Sequence, residues 1–80
     1  MNLTPHHHKL IKMRLEGMTN HEIARQLNQH DSAVDYHFTR IFRTLEIRRF
    51  GELPFAYAAY RQEHRLRMLP FLEELRDALG

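Results

Sequence analysis

Residues 19–22, Thr-Asn-His-Glu, mark a helix start more firmly than any other part of this 80-residue sequence. The threonine hydroxyl can accept a hydrogen bond from the backbone N–H of the glutamate, whose carboxylate reaches back to the N–H of the threonine. Ile23, Ala24 and Leu27 follow as one apolar stripe, and the polar residues 28–32 then favour a turn. The pattern predicts a short capped helix, a tight turn and the start of a second helix.

The segment after that turn has apolar residues at i, i+4, i+7 and i+11, namely Val34, Phe38, Ile41 and Leu45. This spacing keeps one face of a helix buried from about residue 32 to residue 45. The opposite face is polar and carries arginine, with Asp35, Tyr36, Thr39, Arg40 and Arg43. A short helix, a tight turn and a longer helix with an exposed polar face are typical of a helix-turn-helix.

Helical signals continue on both sides of this pair. Thr4 and Pro5 suit a helix start, and Gly17 suits its end, which predicts a helix from about 5 to 16. Its apolar residues are Leu10, Ile11, Leu15 and Met18. A further helix restarts near Pro54, and residues 61–80 are rich in leucine. With no alternation typical of strands, the chain is predicted to be all-α with four or five helices.

Composition excludes several classes of protein. The absence of cysteine excludes disulfides, cysteine-containing zinc sites and thiol nucleophiles. Ser32 is the only serine and no catalytic constellation is evident, so no enzyme activity and no cofactor are predicted. No apolar run approaches the roughly 18–20 residues of a membrane span, and no signal peptide is visible, so we expect a cytoplasmic location and no membrane partner.

Three consecutive histidines at positions 6–8 resemble a metal site or the remnant of a tag. Consecutive helical side chains point about 100° apart, so the three imidazoles cannot converge on one ion. No His-x-x-x-His pair offers a second route to a metal along a helix. We therefore predict no metal site, and interpret the histidines as part of the first helix.

Several separated segments together resemble the LuxR/GerE-type DNA-binding domain. They are Leu3-Thr4-Pro5, Glu16-Gly17-Met18-Thr19-Asn20-His21-Glu22-Ile23-Ala24, and then Leu27, Val34, His37, Ile41, Leu45 and Arg48. The family pattern is LTxRE, EGxSNKEIA, L, TVKxH, I and KLxVxxR, and the match extends from residue 3 to about 58. The resemblance implies an all-α, four-helix LuxR/GerE-like helix-turn-helix domain over residues 1–60. Its second helix would span 20–28, its recognition helix 31–45 and its dimer helix 52–62.

The resemblance also implies a set of DNA-binding positions. Bases and phosphates would be contacted by Asp35, Tyr36, Thr39, Arg40 and Arg43, with Arg48 and Arg49 reaching phosphates. Each has a plainer interpretation from the residues alone. Asp31 and Asp35 would also suit the positive end of a helix dipole, and the arginines could be a solvated face with ordinary charge pairs. His37 is expected to pack at the helix edge.

Several residues depart from the family pattern. His7 replaces the glutamate of LTxRE, Arg14 occupies an apolar position, and Gln29 replaces the apolar residue before the recognition helix. His30 occupies the usual serine cap, so Asp31 is expected to take over as cap. Asp35 replaces the lysine of TVKxH, and a carboxylate there would repel phosphate although it can accept from cytosine N4.

The C-terminal segment is predicted to serve dimerisation. Residues 61–80 are predicted to form an additional helical extension, whose charges cancel and whose leucines need a covering surface. The predicted dimerisation residues are Phe55, Tyr57, Ala58, Leu66, Leu69 and Leu72. The alternative is that the tail folds back over its own core.

Two functions are consistent with the sequence. The first is a sequence-specific transcription regulator that binds double-stranded DNA as a homodimer and has no sensor domain of its own. The alternative is a small anti-activator or co-regulator that forms a heterodimer with a larger LuxR-type protein and binds DNA weakly or not at all.

Overall fold

The structure is a computed structural model that describes residues 2–64. It contains α1 (Pro5–Leu15), α2 (Asn20–Gln26) and α3 (Asp31–Leu45). A short 3-10 helix at Phe50–Glu52 leads into α4, which is helical over residues 53–64. No strand forms in this part of the chain, and the predicted all-α fold is confirmed. Most of the predicted extension, with Leu66, Leu69 and Leu72, lies outside the described residues.

Helices α1 and α2 both begin with a capping box. In α2 the N–H of Glu22 donates to Thr19 Oγ1 and the N–H of Thr19 donates to Glu22 Oε1, both at 3.1 Å. In α1 the N–H of His7 donates to Thr4 Oγ1 at 3.1 Å, and the N–H of Thr4 donates to His7 Nδ1 at 3.2 Å. The imidazole of His7 is therefore the capping-box acceptor at the position where the family pattern has glutamate.

Helix α3 begins without a side-chain cap. His30 is its N-cap residue and its side chain makes no capping hydrogen bond. The expectation that Asp31 would take over as cap is wrong, because Asp31 is already the first helical residue. Its carboxylate instead contacts the ring of His21 in α2, with 2.8 Å between Oδ2 and Nδ1.

The C-terminal ends of α1, α2 and α3 each have a residue in the left-handed conformation. Gly17 has φ of 100°, Asn28 of 55° and Glu46 of 57°. The N–H of the next residue then donates to a carbonyl five positions back: Met18 to Met13 at 3.3 Å, Gln29 to Ala24 at 2.8 Å, and Ile47 to Phe42 at 3.0 Å. These Schellman motifs end each helix sharply, which turns α2 and α3 against one another within four residues.

One core joins the four helices. Its largest fully buried side chains are Leu10, Ile11, Ile23, Val34, Ile41 and Leu53. The buried face predicted for α3 is confirmed, since Val34, Phe38 and Ile41 all point inward. The stripe predicted for α1 is wrong at Leu15, which is 45% exposed. Met13 is buried instead, and together with the buried His7 it shows that the inward face of α1 is rotated from the predicted one.

Arg14, which occupies an apolar position of the family pattern, packs against an aromatic ring. Its guanidinium carbon lies 4.1 Å from the centre of the Phe50 ring, and its Nη1 donates to the carbonyl of Met18 at 3.2 Å. The side chain therefore covers an aromatic ring in the way an apolar residue would, and the charged group is satisfied by the ring face and a helix-end carbonyl.

Candidate nucleic-acid interface

Helix α3 presents one continuous polar face to solvent. Because its apolar residues pack into the core, the side chains between them are exposed: Asp35, Tyr36, Thr39, Arg40 and Arg43. These are the five helix positions predicted from the sequence to contact DNA. The structure brings them together on one rigid helix of 15 residues, roughly 22 Å long.

Tyr36 and Arg40 are paired on this face. Arg40 Nη1 donates to the Tyr36 hydroxyl at 3.0 Å, and the guanidinium carbon lies 5.8 Å from the centre of the tyrosine ring. Tyr36 is 57% exposed, so the pair stands in solvent. The contact orients the guanidinium, which has five N–H donors and keeps most of them free for a phosphate or a base edge.

Thr39 lies on the same face, between Tyr36 and Arg40 in the sequence and one turn after Asp35. Its Oγ1 donates to the backbone carbonyl of Asp35 at 3.0 Å. The hydroxyl proton is therefore used within the helix, while the oxygen lone pairs remain able to accept. Thr39 can offer an acceptor and a methyl group to a groove, but no donor in this rotamer.

The acidic residues at the start of α3 are tied to the first turn of α2. Asp35 Oδ1 accepts from Asn20 Nδ2 at 3.0 Å, and Asp31 contacts His21. Nothing in the sequence pattern predicted these contacts, since Asn20 and His21 were assigned only to the capped turn. The two side-chain bridges, together with the shared core, fix the angle between α2 and α3.

Arg48 and Arg49 lie just beyond the C-terminal end of α3. Their backbone N–H groups donate to Glu52 Oε2 at 2.8 and 3.1 Å. These hydrogen bonds hold the pKa of Glu52 below its usual value, with the nearby arginine charges adding to the effect. The loop is thereby anchored through its backbone, and both guanidinium groups are left exposed.

The charges along α3 and the loop after it are polarised. Asp31 and Asp35 lie at the start, and the arginines at positions 40, 43, 48 and 49 lie in the second half and beyond. Carboxylates suit a helix N-terminus and cations suit a C-terminus. The cationic end also offers the sites that a DNA phosphate would need.

A comparison with protein families agrees with this geometry. The GerE model, which describes bacterial regulatory proteins of the luxR family, matches residues 1–53 of the 80. The chain belongs to the LuxR family. In the LuxR family this region is a helix-turn-helix DNA-binding domain of transcription regulators, so α2 and α3 are its two helices. Comparison with curated proteins and with solved structures gave no match.

Within residues 2–64, no helix has the length and apolar character needed to cross a membrane. Nor do these residues bring together three or more histidine, aspartate or glutamate side chains suited to a metal ion. Of the histidines at positions 6–8, His6 and His7 both pack against His37, whereas His8 packs against Tyr57.

A cluster of imidazoles joins α1 to α3. The ring of His37 lies 4.8 Å from that of His6 and 5.8 Å from that of His7, in edge-to-face arrangements. His37 thus packs at the helix edge, as expected. His7 is buried, and the pKa values of His7 and His37 are lowered by burial first and by neighbouring imidazole and Arg40 charges second.

His8 faces α4 on the other side of α1. Its Nδ1 lies 2.7 Å from the hydroxyl of Tyr57. Burial is the main cause that lowers its pKa, followed by the charges of Lys12, Arg61 and His64. All three shifts have the same sign, because each imidazole is more easily protonated in water than in the fold.

We predict that the protein loses stability as the pH falls below neutral. A histidine with a folded pKa below its unfolded value of about 6.5 contributes stability above that pH, and the contribution is lost as protons bind the unfolded chain preferentially. Protonation of His7 Nδ1 also removes the acceptor of the α1 capping box. His7→Gln keeps a neutral acceptor at that position, so we expect urea unfolding of this variant to depend less on pH between 5.5 and 7.5.

Between pH 7.5 and pH 5.5, His7→Gln should lose about 1 kcal/mol less of its free energy of unfolding than the wild type loses. This difference is the size of one capping interaction. His30→Gln is the matched control, because His30 is exposed and makes no capping hydrogen bond. An unchanged pH profile for His7→Gln, or an equal change for His30→Gln, would contradict the role of His7.

The predicted dimerisation residues of α4 have different environments. Phe55 is 79% exposed and Ala58 is exposed, whereas Tyr57 is only 4% exposed and belongs to the core of its own chain. Tyr60, one turn later, accepts from the backbone N–H of Leu3 at 3.0 Å. The face of α4 that remains open is therefore the one with Phe55 and Ala58.

Proposed function

We propose that this protein is a sequence-specific transcription regulator that binds double-stranded DNA as a homodimer, with α3 in the major groove. The single observation that carries the proposal is the exposed polar face of α3, on a helix whose other face is locked into the core of a LuxR-family helix-turn-helix. In such motifs the second helix enters the groove while the first crosses the backbone.

The arginines of α3 and of the loop after it would make the main contacts with DNA. Arg40 and Arg43 can bind phosphates or the O6 and N7 atoms of guanine, and Tyr36 holds Arg40 in place. Arg48 and Arg49 would neutralise phosphates beyond the helix end. Since a net charge of +2 supplies little general attraction, binding would depend on this local arrangement of arginines.

The homodimer is supported by the open face of α4. An aromatic ring exposed to 79% at Phe55, next to the small residue Ala58, is unfavourable in water and suits close helix packing. Leu15, 45% exposed, lies in α1 beside the same helix and lines a shallow groove with Ala58. Leu66, Leu69 and Leu72 would extend this surface, with residues 61–80 as a dimerisation element.

Selection from random oligonucleotides with the purified protein tests whether the protein binds specific DNA, as proposed. We expect enrichment of a pseudo-palindrome with half-sites about one helical turn apart, because a two-fold dimer presents two copies of α3. Failure to enrich any sequence at low salt would contradict the regulator and favour the co-regulator that pairs with a larger LuxR-type protein.

A further inference from the structure

We propose that Asp35 reads the exocyclic amino group of one base in each half-site, cytosine in preference to adenine, and that Asn20 is its positioning residue. The inference deepens the proposed function and rests on it. It concerns the base-contacting position at which this chain has a carboxylate where the family pattern has a lysine.

The position of Asp35 suits a contact with bases. It is the fifth residue of α3, and the N-terminal residues of a recognition helix are those that approach base edges. Its side chain is exposed on the same face as Tyr36 and Thr39. Val34, its neighbour in sequence, is fully buried and fixes the rotation of the helix at this point.

The carboxylate of Asp35 is held in one orientation. A carboxylate can only accept, so the amide of Asn20 must present its NH2 group, and the 3.0 Å bond from Nδ2 engages Oδ1. Asn20 is the first residue of α2 and is half-buried, and its own Oδ1 is buried with no partner among the described residues. The bond leaves the second oxygen of Asp35, Oδ2, available to another donor.

The major-groove edges of the four bases differ in what they offer to Oδ2. Cytosine presents the N4 amino donor, while guanine presents the acceptors N7 and O6, and thymine presents O4 and a methyl group. Adenine presents the N6 donor beside the acceptor N7, which repels the rest of the carboxylate. A fixed acceptor therefore favours cytosine, tolerates adenine and excludes guanine and thymine.

The electrostatic cost of placing Asp35 in the groove is reduced within the protein. The carboxylate lies in the second turn from the positive end of the α3 dipole. Arg40 and Arg43, one and two turns further along the same face, would bind the phosphates that Asp35 repels. A plainer role remains for Asp35, namely that its bond to Asn20 only ties α2 to α3, and the experiment must separate the two.

Random-oligonucleotide selection with wild type, Asp35→Asn and Asp31→Asn distinguishes a base-reading role of Asp35 from a purely structural one. Asp31→Asn is the matched control, because it removes the same charge from the same helix and also breaks a bridge to α2. We expect wild type and Asp31→Asn to enrich cytosine at one fixed position of each half-site. Asp35→Asn should lose that preference while the rest of the site is kept.

Binding titrations on the selected site give the expected size of the effect. Replacing the cytosine by guanine should weaken wild-type binding roughly 10- to 100-fold, and should weaken Asp35→Asn binding less than threefold or so. Asn20→Ala, which frees the carboxylate, should show an intermediate loss of discrimination. Thermal unfolding of each variant checks that the α2–α3 packing survives.

Three results would overturn all or part of the inference, and they can be told apart. If a site is enriched but none of its positions changes preference in Asp35→Asn, Asp35 does not read a base, while the proposed function stands. If wild type enriches nothing, the proposed function fails, and this inference with it. Equal discrimination by Asn20→Ala and wild type would remove Asn20 as the positioning residue.

Discussion

Ile41→Ala is expected to unfold at urea concentrations at which the wild type is still folded. Ile41 is fully buried in α3 and belongs to the core that joins this helix to the rest of the domain. Truncating a buried isoleucine to alanine costs about 2–5 kcal/mol. A chain of 80 residues buries a smaller fraction of its surface than a large domain, so its total stability should lie near the low end of the usual 5–15 kcal/mol, or roughly 5 kcal/mol.

Far-UV circular dichroism during urea unfolding measures this effect. Ile41→Val is the graded control, because it removes one methylene group and should cost about 0.5–1.5 kcal/mol with the same transition shape. If Ile41→Ala unfolds at the urea concentration of the wild type, then α3 does not depend on the packing seen in the structure.

The second large effect is expected on DNA binding when two arginines of α3 are removed. Arg40→Ala combined with Arg43→Ala deletes both cations of the exposed helix face while leaving the buried face intact. If both contact phosphates, the slope of log affinity against log salt should fall by about 2, because each contact releases close to one counterion. The affinity at about 0.1 M salt should fall roughly 100-fold or more.

The matched control removes two positive charges from elsewhere on the surface. Lys9 and Lys12 are both exposed on α1, and Lys9→Ala with Lys12→Ala changes the net charge by the same amount. Fluorescence anisotropy with a labelled site at several salt concentrations gives both affinity and slope. An equal loss in the two double variants would mean that net charge, and not the face of α3, governs binding.

Local sequence rules predicted most of the helix boundaries, because they depend on residues close together in the chain. The capping box of Thr19 and Glu22 places the start of α2, and Gly17 in a left-handed conformation ends α1, as their residue types require. The apolar spacing along α3 predicted its buried face for the same reason. Where the local pattern was ambiguous, as at Leu15, the prediction was wrong because only packing fixes the rotation of a helix.

The role of His7 shows a different limit of prediction from the sequence. Its position three residues after Thr4 is that of a capping-box partner, but imidazole is not a usual residue there and only the 3.2 Å contact of Nδ1 reveals it. Its burial depends on α3, which brings His37 against it from thirty positions away in the sequence. No pattern within α1 could have predicted the lowered pKa that follows.

The sequence by itself determined the all-α fold, the family and the set of side chains on the exposed face of α3, since these depend on periodicity, caps and residue type. Only the tertiary structure decided how those side chains are constrained. The bond between Asn20 and Asp35 spans fifteen residues and exists because α2 and α3 pack at one particular angle. Hydrogen bonds of this kind require positions accurate to a few tenths of an ångström, and such positions are set by the packing of the whole core.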